Sequence, residues 1–104
     1  MKKLIIKREF NFEIHPNTLG EVNWYETMKV MDELGDGWRL PTLTELQLIW
    51  NSEHRNTFER KRYWTSSMAH DDYVCTINFY DGDDQVGTGK LNDNYVRPVR
   101  DLNI

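Results

Sequence analysis

The chain has 104 residues, a formal net charge of −4 and a single cysteine, Cys75. That length suits one domain with one core, residues 1–104. The acidic balance speaks against nucleic acid as partner, and the longest wholly apolar run, Leu4-Ile5-Ile6, is far too short to span a membrane. One cysteine excludes an internal disulfide and a multi-cysteine zinc site, and a reducing cytoplasm is the simplest compartment, with secretion the expectation for a domain trimmed from a longer chain. Lys7-Arg8-Glu9 ends the apolar start too early for a signal peptide. Hydrophobic residues make up only 38%, but four Trp, five Tyr and four Phe supply the bulk that a thin set of aliphatic residues would not.

From Leu4 to Ile14 the even positions are apolar except Arg8, which predicts one or two strands with a single buried face. His15-Pro16-Asn17 ends them, since proline brings no N–H to a ladder. Asn23-Trp24-Tyr25-Glu26 reads as a capping box and predicts a helix with Trp24, Met28, Met31 and Leu34 near one face, stopped at Gly35-Asp36-Gly37. Thr42-Leu43-Thr44-Glu45 is a second box, opening a short helix with an apolar stripe of Leu43, Leu46, Ile49 and Trp50. Residues 53–62 read as a charged surface loop. A short strand at Tyr63-Trp64-Thr65-Ser66 follows, then a loop to Asp72. A clearer strand follows from Tyr73 to Tyr80, with Tyr73, Cys75, Ile77 and Phe79 on its apolar side. Asp81-Gly82-Asp83-Asp84 predicts a turn, Gln85 to Leu91 a glycine-weakened strand, Asn92-Asp93-Asn94 another turn, and Tyr95 to Leu102 a last strand with Pro98 at an edge or bulge. This order predicts an α+β domain, with two helices against one side of a mainly antiparallel sheet.

The run Gly37-Trp38-Arg39-Leu40-Pro41-Thr42, followed by Glu45, resembles the signature of a bacterial and phage domain family of largely unknown function. That family includes the C-terminal domain of a collagen-like adhesin. A similar run occurs in the formylglycine-generating, sulfatase-modifying enzymes. Trp24 before the run, Tyr63-Trp64-Thr65-Ser66-Ser67 after it and Tyr95-Val96-Arg97-Pro98-Val99-Arg100 at the end extend the likeness over about residues 22–101. The resemblance implies a C-type-lectin-like fold, in which the N- and C-terminal strands pair and long loops present a binding surface. Pro98 stands where relatives often carry a cysteine, so a disulfide-stapled form is not expected. The related enzymes hold copper with a cysteine pair, which Cys75 alone cannot supply, so no catalytic residue and no cofactor are expected.

Trp38 is expected to fill the junction of helices and sheet, Arg39 to donate to carbonyls or a carboxylate, and one of Arg97 and Arg100 to be buried and paired. His15, His54 and His70 lack ligand spacing. The acidic turns faintly resemble half of a lectin calcium site, yet Asp-Gly and Asn-Asp-Asn are also what tight turns demand, and no metal is expected. The candidate binding residues are His70 and Asp71 in the first loop, and Asp81, Asp83, Asp84, Gln85, Lys90 and Asp93 on the second hairpin. A basic patch at Arg55, Arg60, Lys61 and Arg62, interleaved with Phe58 and Tyr63, is the competing surface. The expected function is a non-catalytic binding module that recognises a protein surface or a glycan through its loops. The alternative is a small intracellular, phage-type inhibitor or accessory protein that binds a host protein through acidic loops.

Overall fold

The computed structural model describes residues 4–5, 10–70 and 72–102. In chain order the elements are β1 (Leu4–Ile5), β2 (Phe12–Ile14), β3 (Glu21–Val22), α1 (Trp24–Leu34), β4 (Trp38–Arg39) and α2 (Leu43–Trp50). A 3-10 turn (Glu53–Thr57) follows, then β5 (Arg62–His70), β6 (Tyr73–Asn78), β7 (Asp84–Gly89), β8 (Asn94–Tyr95) and β9 (Val99–Asp101). The domain is α+β, with two sheets. One runs β1-β2-β9-β4, all antiparallel; the other runs β3-β8-β5-β6-β7, antiparallel except where β5 meets β8 at Tyr63↔Tyr95.

Both capping boxes form. The Asn23 side chain accepts from the Glu26 N–H and the Glu26 carboxylate from the Asn23 N–H, each at 3.0 Å. Thr42 and Glu45 exchange the same bonds at 3.1 and 2.8 Å. Helix α1 ends as the spacing predicts: Gly35 takes φ +61°, and its N–H bonds the Met31 carbonyl. Its buried face is phased differently from the expectation. Trp24 and Thr27 are buried with Met31 packed behind them, while Met28 is 57% exposed. Thr27 can enter the core because its hydroxyl donates to the Trp24 carbonyl at 2.6 Å. On α2 the stripe is as expected, with Leu46 and Ile49 buried and Leu43 and Trp50 packed beside them.

The helices lie on opposite faces of the five-stranded sheet, not on one side of it. Adjacent strand residues point to opposite faces. Tyr63 joins Leu46, Ile49, Phe58, Ile77 and Phe79 in one cluster with Phe10, Phe12, Ile14 and Val99. Trp64 joins Trp24, Leu40, Val74 and Val96 in the other. Strand β6 is therefore buried on both faces: Val74, Cys75, Thr76 and Ile77 are all buried, whereas Tyr73, expected on the apolar side, is 41% exposed. The buried hydroxyls are satisfied, Thr65 on the Cys75 carbonyl and Thr76 on Thr88.

Three further differences are local. Residues 53–57 form a 3-10 turn that delivers Phe58 into the core, stacked on Phe79 at 4.3 Å. Strand β5 runs on to His70, so most of the expected loop from Ser66 to Asp72 is hairpin. The last strand divides: β8 lies in one sheet and β9 in the other, with Pro98 between them, where the ladder has to stop. The pairing of β2 with β9 brings the chain's two ends together, Phe12↔Asp101 and Ile14↔Val99.

The arginines fasten this frame. Arg39 forks onto both Glu45 oxygens at 2.8 Å and reaches Asp101 at 2.7 Å, tying β4 and α2 to β9. Arg100 donates to Glu13 and lies 4.2 Å over the Trp38 ring. Trp38 is thus only half-buried, between Arg100 and the His15 edge, and does not fill the helix–sheet junction. Arg97 is 1% exposed and faces no carboxylate among the described residues. Its donors meet the His15 and Thr57 carbonyls, and the guanidinium lies on Phe58. Burial, only partly offset by Tyr63, lowers its pKa.

Candidate functional site

The candidate residues read from the loops do not form one site. Strand β6 separates them: Tyr73 at its start pairs with Gly89, and Ile77 near its end pairs with Asp84, about 13 Å away at strand spacing. Asp81, Asp83, Asp84 and Gln85 are exposed at the β6–β7 turn, beside the end of α2, where Gln47 donates to Asp84 at 3.2 Å. His70, Lys90 and Asp93 are at the other end. His70 is exposed at the hairpin tip with its ring edge-on to Tyr73. The Lys90 ammonium lies 6.0 Å over the Tyr25 ring and the Lys90 carbonyl caps the start of α1. Asp93 is exposed just before β8. Asp71 lies outside the described residues. Among the described residues, no group of three or more His, Cys, Asp and Glu is disposed to hold a metal ion. Cys75 is buried in β6, and its thiol pKa is raised by burial and then by Asp84, so it is a poor nucleophile.

A concavity lies at the β6–β7 turn end, built from residues outside that candidate set. Trp50, Arg55, Asn56, Phe58, Arg60, Phe79 and Tyr80 line an open groove of ≈ 550 Å³. Its position follows from the fold. Helix α2 ends at Trp50, the 3-10 turn carries Arg55 and Asn56, and the Phe79 N–H bonds the Lys61 carbonyl, bringing Arg60 beside Tyr80. Phe58 and Phe79 form the floor, buried and stacked. Trp50 stands edge-on to Phe79 at 5.6 Å. The Arg55 guanidinium lies 4.8 Å over the Trp50 ring, and that of Arg60 lies 5.9 Å from the Tyr80 centroid.

Trp50 is also the partition between two recesses. On its other side Gln47, Asn51, Ile77, Gly82 and Asp84 line a smaller cavity of ≈ 300 Å³. Gly82, with φ +80°, lets the indole lie directly against the turn. One exposed-edged tryptophan therefore has guanidinium groups on one side and amide and carboxylate groups on the other. The basic patch read from the sequence is itself divided. Arg55 and Arg60 enter the groove, but Arg62 turns inward to donate to Thr76 at 3.0 Å. Trp50 and Tyr80 were legible as aromatics, one on a helix stripe and one at a strand end; the packing of α2 on β6 puts them on one rim.

No helix among the described residues is long and apolar enough to cross a membrane. Comparison with curated proteins finds no match. The model of the Lcl C-terminal domain matches residues 5–100, a span that takes in both sheets, both helices and the Trp50 groove. The chain belongs to the Lcl C-terminal domain family.

Proposed function

We propose that the domain is a non-catalytic binding module that recognises a glycan at the Trp50 groove. The observation that carries the reading is the pairing of the exposed Tyr80 ring and the half-buried Trp50 ring with planar donors, Arg55, Asn56 and Arg60, around a recess of ≈ 550 Å³. A sugar ring offers an apolar C–H face to an aromatic ring and a belt of hydroxyls to fixed donors. Small-ligand sites combine an apolar wall with a few placed polar groups in this volume range. The second recess supplies acceptors, Asp84 and the Gln47 amide, for hydroxyl protons on the far side of the indole.

The paired chain ends and the site built from connecting segments support a C-type-lectin-like fold. They also support a kinship with the bacterial and phage domains that carry the GWRLPT run. In this chain that run is spent on structure: Arg39 is committed to Glu45 and Asp101, and Thr42 to the helix cap. Enzymatic chemistry finds no support in Cys75, which has no second cysteine and a raised thiol pKa.

The test is a glycan array followed by fluorescence titration of the best ligand. Tyr80→Ala is the informative variant, because Tyr80 is 66% exposed and its loss leaves the core intact. A tenfold loss of affinity in Tyr80→Ala and in Arg55→Ala, at unchanged melting temperature, is expected. An array without signal, or variants that bind like the parent, removes the glycan reading.

A further inference from the structure

At the end of the five-stranded sheet remote from the Trp50 groove the structure leaves apolar side chains uncovered. Leu91 is 82% exposed, Tyr25 56% and Met28 57%. They belong to one surface. Tyr25 and Met28 are three apart on α1 and share a face. The Trp24 N–H bonds the Lys90 carbonyl at 2.9 Å, which puts Leu91 against the start of that helix. Single exposed apolar residues are ordinary, but three neighbouring ones, each more than half exposed, mark a contact surface.

The rim of this surface is acidic. Glu26, Asp32, Asp72 and Asp93 are exposed around it and outnumber Lys29 and Lys90. Asp93 precedes Asn94, which pairs with Val22, so it sits beside the cap of α1. A second copy of the chain would bring the same acidic rim, and a molecular charge of −4, against its own kind. Like charges juxtaposed at a rim oppose association.

We propose that this face docks a segment of a partner protein that presents apolar side chains flanked by lysine or arginine. Leu91, Met28 and Tyr25 take the apolar anchors, and the acidic rim steers and orients the cationic flank. The contact is independent of the Trp50 groove, which lies at the opposite end of β6.

The experiment uses the full chain and a synthetic amphipathic helix of leucine and lysine, with an uncharged helix of leucine and glutamine as its control. Calorimetry should show binding of the cationic peptide that weakens tenfold or more in Met28→Ser/Leu91→Ser. Affinity should also fall as salt rises, and the uncharged peptide should bind more weakly. Asp81→Lys/Asp83→Lys, at the far end, should bind like the parent although it changes the net charge more. Absence of binding by the parent overturns the proposal. So do equal losses in the two double variants, which would reduce the effect to overall charge. Sedimentation showing that the face is already occupied by a second copy overturns it too.

Discussion

Replacing Gly82 by alanine should be far more costly than its place in an exposed turn suggests. A Cβ there would lie 2.4 Å from Cε2 and Nε1 of the Trp50 indole. Ordinary carbon contacts are about 3.5 Å or more, so the ring would have to retreat by about 1 Å. It has little room to do so, with Phe79 edge-on behind it and Arg55 above. The backbone adds to this, since φ is +80° and a side chain in left-handed space costs roughly 1–2 kcal/mol. Overpacking costs roughly 1–3 kcal/mol more, so Gly82→Ala should lose about 2–5 kcal/mol in all. Gly87 is the control: nothing lies within 4 Å of its would-be Cβ, its φ is outside the left-handed range, and Ala there should be neutral or stabilise by about 0.4–1 kcal/mol. Urea denaturation followed by tryptophan fluorescence and by circular dichroism measures both. A Gly82→Ala variant within about 0.5 kcal/mol of the parent, which is the ordinary range for an unconstrained surface change, would refute the packing of Trp50 on the turn, and with it the partition between the two recesses.

Thr42→Ala should cost about 1 kcal/mol, the usual loss of a helix cap, read from the shift in denaturation midpoint at unchanged slope. Trp64→Ala should cost about 3 kcal/mol or more, because Trp64 is fully buried and its indole N–H donates to the Val22 carbonyl at 2.7 Å. Trp38→Ala should cost clearly less, about 2 kcal/mol or under, since half-burial and the Arg100 stack are what it loses; equal losses in the two would contradict the burial described. Acid should weaken the Arg39 junction. Burial alone would raise the Glu45 pKa, but hydrogen bonds from Arg39 and Thr42 outweigh it, and the Arg39 bond lowers that of Asp101, so both titrate below their ordinary 4.5 and 3.8. Their contribution is complete above those ordinary values and is lost as pH falls through the depressed folded ones. The melting temperature of Arg39→Met should therefore fall less than that of the parent between about pH 6 and pH 3; parallel curves would show that the junction adds nothing.

Features set by a few neighbouring residues were legible in the sequence. Both capping boxes form because Asn23 with Glu26 and Thr42 with Glu45 need nothing beyond their own turn. The pairing of the chain ends followed from the resemblance. Features that depend on two covered faces were hidden. The apolar side read into 73–79 presumes one buried face, and β6 has two, so Val74 and Thr76 are as buried as Ile77. Thr27 displaced Met28 from the core because its hydroxyl found an acceptor within the helix, which a count of apolar spacings does not register. The small polar run Ser66-Ser67-Met68-Ala69-His70 looked like a loop because its strand projects beyond the core. The site was the least legible part. Its rings and guanidinium groups come from Trp50 to Arg60 and from Phe79 to Tyr80, segments that meet through the packing of α2 on β6 and the pairing of β5 with β6.

Tyr63 and Trp64 are consecutive residues that serve different cores, one under α2 and the other under α1. Their strand is thus a party wall. A one-residue slip in β5 would turn a phenol into the tryptophan's place and evict both, so the two halves of the domain have no independent register. This constrains recombination between members of the family. Chimaeras joined inside 62–78 would have to match both cores at once, whereas junctions in the connecting segments on either side inherit the wall intact. It also means that damage under one helix is felt under the other, and the domain should melt as a single unit.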